Sequence, residues 1–123
     1  MLAASLALLL VMIVAAVAAV VQNPHEFSVS ARRYAFSVQG TNVPEIRVQQ
    51  DDLVQITFSA EDIPHSFTID DDHYRISRRA EPGRPVKFDF RADKVGSFPI
   101  TCALTIDPRC RELQARLIVE PRK

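Results

Sequence analysis

Three side-chain types in this chain can bind a soft metal or act as nucleophiles: histidine at His25, His65 and His73, cysteine at Cys102 and Cys110, and methionine at Met1 and Met12 alone. Both methionines lie inside an apolar N-terminal run, so the rest of the chain offers no thioether. His25 follows that run closely and His73 follows Asp70, Asp71 and Asp72; both positions read as solvent-exposed. His65 differs, because Ile63-Pro64-His65-Ser66-Phe67 places it where one strand ends and a rigid turn begins, with apolar neighbours that can aim the imidazole inward. Taken alone, a loop histidine is more often structural than a ligand. Seven residues separate Cys102 from Cys110, which matches neither a Cys-x-x-Cys redox motif nor a zinc ribbon. Nucleophilic catalysis by a Cys-His pair needs an activated thiolate and a third group orienting the base, and neither is indicated. The three aspartates lack the spaced ligands and central glycine of a calcium loop.

The elements that must hold these residues are strands. After Asn23-Pro24 the chain breaks into short pieces rich in Val, Ile, Phe and Thr, separated by turn residues. Phe27 and Val29 alternate with polar neighbours, as do Tyr34, Phe36 and Val38, and the Arg32-Arg33 junction between them reads as a bulge where the phase resets. Glu45 to Val48 reads as a strand, Asp51-Asp52 as a turn, and Val54, Ile56 and Phe58 as the inward face of the next strand. Phe67 and Ile69 continue the pattern. The turn Glu81-Pro82-Gly83 then launches a strand with Val86, Phe88 and Phe90 on one face. Phe98 and Ile100 lead into Cys102, and Leu117 to Val119 closes the set before Pro121. About seven such strands, each with one apolar face, predict an all-β, two-sheet sandwich.

Leu2 to Val21 is different in kind: twenty consecutive residues, with only Ser5 even mildly polar. As a helix rising about 1.5 Å per residue, they span roughly the 30 Å of a bilayer core. A cleavable signal with Ala16-Val17-Ala18 as its cleavage site is the alternative, but no Lys or Arg precedes the run and the run is long for a signal, so a retained anchor is the better reading. Residues 1–22 are therefore assigned as membrane anchor or signal segment, 23–26 as linker and 27–121 as the folded domain. The expected location of the domain is outside the cytoplasm, periplasmic or extracellular, and secreted if the N-terminus is cleaved. All fifteen basic and fifteen acidic side chains lie beyond the apolar run and cancel, which excludes a general attraction to nucleic acid.

The segments EDIPHSFTID, EPGRPVKFDFRADKVGSFPITC and LQARLIVE resemble the cupredoxins, especially the copper domains of cytochrome oxidase subunit II and nitrous oxide reductase, over roughly Phe27 to Glu120. The resemblance implies a Greek-key β-sandwich preceded here by one N-terminal hydrophobic helix. It also implies a histidine after a strand, matched by His65, and a ligand loop with Cys, Cys, His and Met at offsets zero, four, eight and eleven. Those offsets fall on Cys102, Ile106, Cys110 and Leu113, so the first histidine and first cysteine are kept and the other ligands are replaced. A binuclear copper centre with two bridging thiolates is thereby excluded. The one-copper cupredoxins place a histidine three residues after the cysteine, where this chain has Thr105, and Ala115 replaces a glycine common just after the loop.

If the fold is kept, the Cys110 sulfur lies near that of Cys102 and within reach of His65. Two states follow from the resemblance. In one, His65, Cys102 and Cys110 form a pocket for a single soft ion such as Cu(I), which could also accept zinc. In the other, Cys102 and Cys110 form a disulfide, with about 2.6 kcal/mol of chain-entropy stabilisation for so short a loop. The expected role is copper binding for electron transfer or copper handling, with a redox protein or copper chaperone as partner. A metal-free structural or interaction module is the alternative. Any oxidase activity would belong to a larger complex in which this domain passes electrons, not to an enzyme acting alone.

Overall fold

The computed structural model describes residues 23–123. Nine strands build two sheets. One has the order β2 (Ala35–Val38), β1 (His25–Arg32), β4 (Leu53–Ala60), β7 (Val86–Arg91); the other runs β3 (Glu45–Gln49), β9 (Gln114–Glu120), β8 (Gly96–Thr101), β5 (His65–Ile69), β6 (Ile76–Ala80). Within each sheet one pair is parallel, β1 with β4 and β3 with β9, so the chain crosses repeatedly between layers. The one helical element among the described residues is a single 3-10 turn at Cys110–Glu112. The hydrophobic helix expected over residues 1–22 lies outside the described residues. Among the described residues no helix is long and apolar enough to cross a membrane.

Period-two alternation decides which side chains meet between the sheets. Val54, Ile56, Phe58 and Ala60 of β4 are buried, as are Ile46 and Val48 of β3 and Ala115, Leu117 and Val119 of β9. Rings of Phe36, Phe58, Phe67 and Phe88 follow one another through the core, with centroids 6.3, 5.8 and 5.3 Å apart. Complete burial of each such side chain contributes about 1.5–3 kcal/mol. On β5 every residue is buried, and His65 shares the phase of Phe67 and Ile69, so the alternation that fills the core also carries an imidazole into its end.

Two local expectations change. Arg33-Tyr34 is the two-residue turn of a β1–β2 hairpin, with Arg32 opposite Ala35, not a bulge; the hydrophobic phase resets because the chain reverses. The β1 strand also starts at His25, within the stretch read as linker. The turn at Glu81 to Arg84 forms as expected, closed by the Arg84 amide on the Glu81 carbonyl at 3.0 Å. Its Gly83 has φ +77°, the left-handed conformation that a Pro-Gly turn requires at its third position.

Strand directions separate the two ends of the sandwich. His25 pairs in register with Val54 at the start of β4, and Ala31 with Ala60 at its end. From Ala60 the chain enters residues 61–64 and then His65. Along the eight residues of β1, roughly 23 Å separates the end where the described chain begins from the end that holds His65.

Candidate metal centre

The loop before β5 is organised by Asp62. The Arg33 amide donates to its Oδ2 at 2.7 Å, the Ile63 amide to its Oδ1 at 2.8 Å, and His65 Nε2 lies 2.9 Å from the same Oδ1. Burial pushes this carboxyl up, but the Arg33 amide, the His65 ring and the Ile63 amide together outweigh it and hold its pKa at about 2. An ionised carboxylate can only accept, so Nε2 carries the proton of a neutral His65 and the lone pair sits on Nδ1. That Nδ1 is buried and has no hydrogen-bond partner among the described residues. Leaving a buried polar atom unpaired costs about 1–3 kcal/mol, and this Nδ1 is the one buried side-chain nitrogen or oxygen among the described residues left in that state.

Cys102 follows β8 and Cys110 opens the 3-10 turn; both are buried, at 3% and 1% exposure. The Ser66 amide donates to Cys102 Sγ at 3.3 Å, while Ser66 Oγ accepts from the Ala103 amide at 2.8 Å, so one residue of β5 grips the chain on both sides of that sulfur. The Cys110 amide donates to the Asp107 carbonyl and the Leu113 amide to the Cys110 carbonyl, each at 3.0 Å. One ligand atom each from His65, Cys102 and Cys110 lies within 4.8 Å of the others. The two sulfurs are at disulfide distance, with Cα atoms 5.3 Å apart.

The remaining candidates fall elsewhere. Ile106 is 59% exposed, Thr105 is exposed, and Leu113 is fully buried without a donor atom. His25, with its side chain 54% exposed, lies 3.5 Å from Asp52 at the opposite end. His73 contacts Asp93 at 2.5 Å, on the surface. Reading the sequence did not single out Asp62. Its signal is a carboxylate three residues before the inward histidine, the arrangement by which an outer carboxylate orients a metal-binding imidazole.

No protein-family profile matches the chain. Among solved structures, a chain of a heme-copper terminal oxidase dimer superposes with a TM-score of 0.68 at 22% identity, covering 80% of this chain and 65% of that one. The periplasmic domain of subunit II of cytochrome oxidase from Bradyrhizobium japonicum superposes with a TM-score of 0.65 at 15% identity, covering 78% of this chain and 83% of that one. This is the cupredoxin fold. In sequence, cytochrome c oxidase subunit 2 of Thermostichus vulcanus is 42% identical over 50 residues, which cover 41% of this chain and 14% of that protein.

Within this cupredoxin fold, the donors that the described residues bring together are two sulfurs and one imidazole nitrogen. A second metal ion lacks ligands, since the loop positions at Ile106 and Leu113 carry aliphatic side chains. A single thiophilic ion suits the set, and the partnerless Nδ1 is the atom such an ion would satisfy. The same sulfurs joined to each other leave no thiolate for a metal. A disulfide between Cys102 and Cys110 and a metal site using both thiolates are therefore mutually exclusive, and the structure places the two sulfurs at disulfide distance.

Proposed function

We propose that this cupredoxin domain binds one copper ion through His65 Nδ1 and the sulfurs of Cys102 and Cys110, and serves in electron transfer or copper handling outside the cytoplasm. The N-terminal apolar run, residues 2–21, holds it at the membrane or exports it, and residues 27–121 form the working unit. The observation that carries this reading is the buried Nδ1 without a partner, in a group whose three ligand atoms lie within 4.8 Å of one another. Copper held there would supply a one-electron couple between Cu(I) and Cu(II). Asp62 holds the proton of a neutral imidazole on Nε2 and so leaves the lone pair on Nδ1 free for a ligand. The Ser66 amide lends hydrogen-bond stabilisation to a Cys102 thiolate. Both effects prepare the donors before any ion arrives. The subunit II relatives support an oxidase-type electron carrier or its supplier as the setting, with a redox protein or copper chaperone as partner.

A second reading has its own observation: the Cα separation of 5.3 Å and the sulfurs at bonding distance suit a domain closed by a Cys102–Cys110 disulfide, with no metal. One titration separates the two. The full chain, reduced and held in neutral detergent without oxygen, is titrated with Cu(II) and followed optically. A thiolate-to-copper charge-transfer band that saturates at one equivalent, and is lost in His65→Ala and Cys102→Ala, is expected. Consumption of two Cu(II) per chain, giving two Cu(I), two protons and the disulfide with no stable band, would overturn the metal reading in favour of the closed module.

A further inference from the structure

A cysteine becomes a strong nucleophile when a base takes its proton, a third group holds that base, and a donor steadies the resulting anion. All three surround Cys102. His65 is the base: its lone pair sits on Nδ1, which is buried and has no hydrogen-bond partner among the described residues. Asp62 is the holding group, its Oδ1 2.9 Å from Nε2, and the Arg33 and Ile63 amides fix that carboxylate in turn. The Ser66 amide is the donor, 3.3 Å from Cys102 Sγ. One ligand atom each from His65, Cys102 and Cys110 lies within 4.8 Å of the others, so the base and both sulfurs form a single group.

The two sulfurs are not equivalent. Backbone donation from Ser66 falls on Cys102 Sγ, and Ser66 Oγ accepts from the Ala103 amide at 2.8 Å, which pins the chain beside that sulfur. Negative charge is therefore held better on Cys102 than on Cys110. Cys110 opens the 3-10 turn with its sulfur at disulfide distance from Cys102, the place for a second thiol that closes on whatever the first one forms. Both cysteines are buried, which shuts out bulky electrophiles and protein disulfides. A reactant that reaches them has to be uncharged and about the size of water. An open cleft lined in part by Ile63, Pro64, Ile106 and Pro108 brings solvent to the two loops that lead into His65 and Cys110.

We infer that the reduced, metal-free domain is a peroxide-reactive dithiol, in which Cys102 attacks hydrogen peroxide and Cys110 resolves the product. His65 Nδ1 takes the Cys102 thiol proton, and the thiolate attacks one peroxide oxygen. An S–O bond forms as the O–O bond breaks, and Nδ1 returns the proton to the departing oxygen, giving water and a Cys102 sulfenic acid. The Cys110 sulfur then attacks the Cys102 sulfur. The S–S bond forms, the S–O bond breaks, and the Cys110 thiol proton leaves with the hydroxyl as a second water. Each sulfur has lost one electron, one peroxide has been reduced, and this single turnover needs no other reactant. A neutral two-electron oxidant of this size is what buried sulfurs with a resolving partner admit. The reactivity belongs to the chain without an ion and stands apart from the proposed copper binding.

The test mixes the full chain, reduced, freed of metal with a chelator and held in neutral detergent, with hydrogen peroxide; samples are quenched with acid at intervals and read by mass spectrometry. Loss of two hydrogens per chain is expected from one equivalent of peroxide, at a rate about tenfold or more above that of free cysteine. Cys110→Ser should stop at a Cys102 sulfenic acid, trapped by dimedone, and Cys102→Ser should react no faster than free cysteine. His65→Leu should slow the oxidation about 100-fold, with folding read by circular dichroism on the same sample. Should it not fold, His65→Asn carries that test, and the comparison with free cysteine needs no variant. A wild-type rate no faster than free cysteine, faster oxidation of Cys102→Ser than of Cys110→Ser, or folded His65 variants as fast as the wild type would each overturn the proposal. Rapid peroxide reaction in a chain that gives no copper band would remove only the metal reading, and a copper band with slow peroxide reaction only this one.

Discussion

Each end of the sandwich buries one polar ionisable side chain, and the two are treated differently. At the end where the described chain begins, Asp52 is 5% exposed and fully engaged: the Gln49 amide donates to one oxygen at 2.8 Å, the Arg122 guanidinium pairs with the other, and His25 stands 3.5 Å away. At the opposite end, His65 is completely buried in a group with Cys102 and Cys110, with one ring nitrogen held by Asp62 and the other left without a partner among the described residues. A polar group whose partners are all supplied by its own fold is accounted for by stability. One whose fold holds half of it rigidly and leaves the other half unsatisfied points to something the fold does not contain.

The strongest way to break this comparison is to remove both groups. Asp52→Ala strips the acceptor from the Gln49 amide and the partner from Arg122, at a cost of about 2 kcal/mol, which lowers the melting temperature by about 10 °C, while the copper band persists. His65→Leu removes an unsatisfied nitrogen and fills its space with carbon, so the melting temperature is expected to hold or rise while the band disappears. Thermal unfolding and the optical titration on the same samples decide it. A collapse of the His65→Leu fold, or a lost band in Asp52→Ala, would show that the two ends are not distinct in kind.

A finer cut falls within the site end. Asp62→Asn keeps one oxygen, enough to accept from the Arg33 amide or the Ile63 amide but not from both, and removes the charge that fixes the His65 tautomer. Copper affinity, measured by competition with a Cu(I) chelator, is expected to fall about 10–100-fold, the usual effect of losing an outer carboxylate. The melting temperature should move far less. A variant with unchanged affinity would reduce Asp62 to a loop-closing residue.

How much of this was legible beforehand follows the same division. Strands with clean alternation, such as Val54-Ile56-Phe58, announce themselves because one face meets the core and the other water. The β6 strand did not, because Ser77, Arg78 and Arg79 are three exposed residues in a row between buried Ile76 and Ala80. It is an edge strand whose arginines face solvent, and its pairing with β5 is a long-range fact absent from its own pattern. The β1–β2 reversal was hidden because Arg33-Tyr34 contains neither Gly nor Asn. At the site, the inward aim of His65 was legible from its Ile63-Pro64-His65-Ser66-Phe67 context, and its grouping with Cys102 and Cys110 came from a resemblance to known ligand spacing. Asp62 and Ser66 act through tertiary contacts, the latter across 36 residues, and spacing alone does not single them out.

The smallest expected effect lies back at the Asp52 end, in the 70–75 loop. Burial raises the Asp71 carboxyl, but hydrogen bonds from the Tyr74 and His73 amides, with Lys94 3.2 Å away, leave it below its ordinary value. The His73 ring does the same for Asp93. A carboxyl depressed in the folded state contributes stability that is fully present above its unfolded pKa, about 4, and is lost as pH falls through the lower folded value. Acidification below about pH 4 should therefore speed amide exchange of His73 and Tyr74, while the buried amides of β4 and β9 stay protected. Asp71→Asn should flatten that dependence. If exchange instead quickens uniformly over the sandwich, the loop is not a local unit, and this end draws its stability from the Asp52 cluster and the core alone.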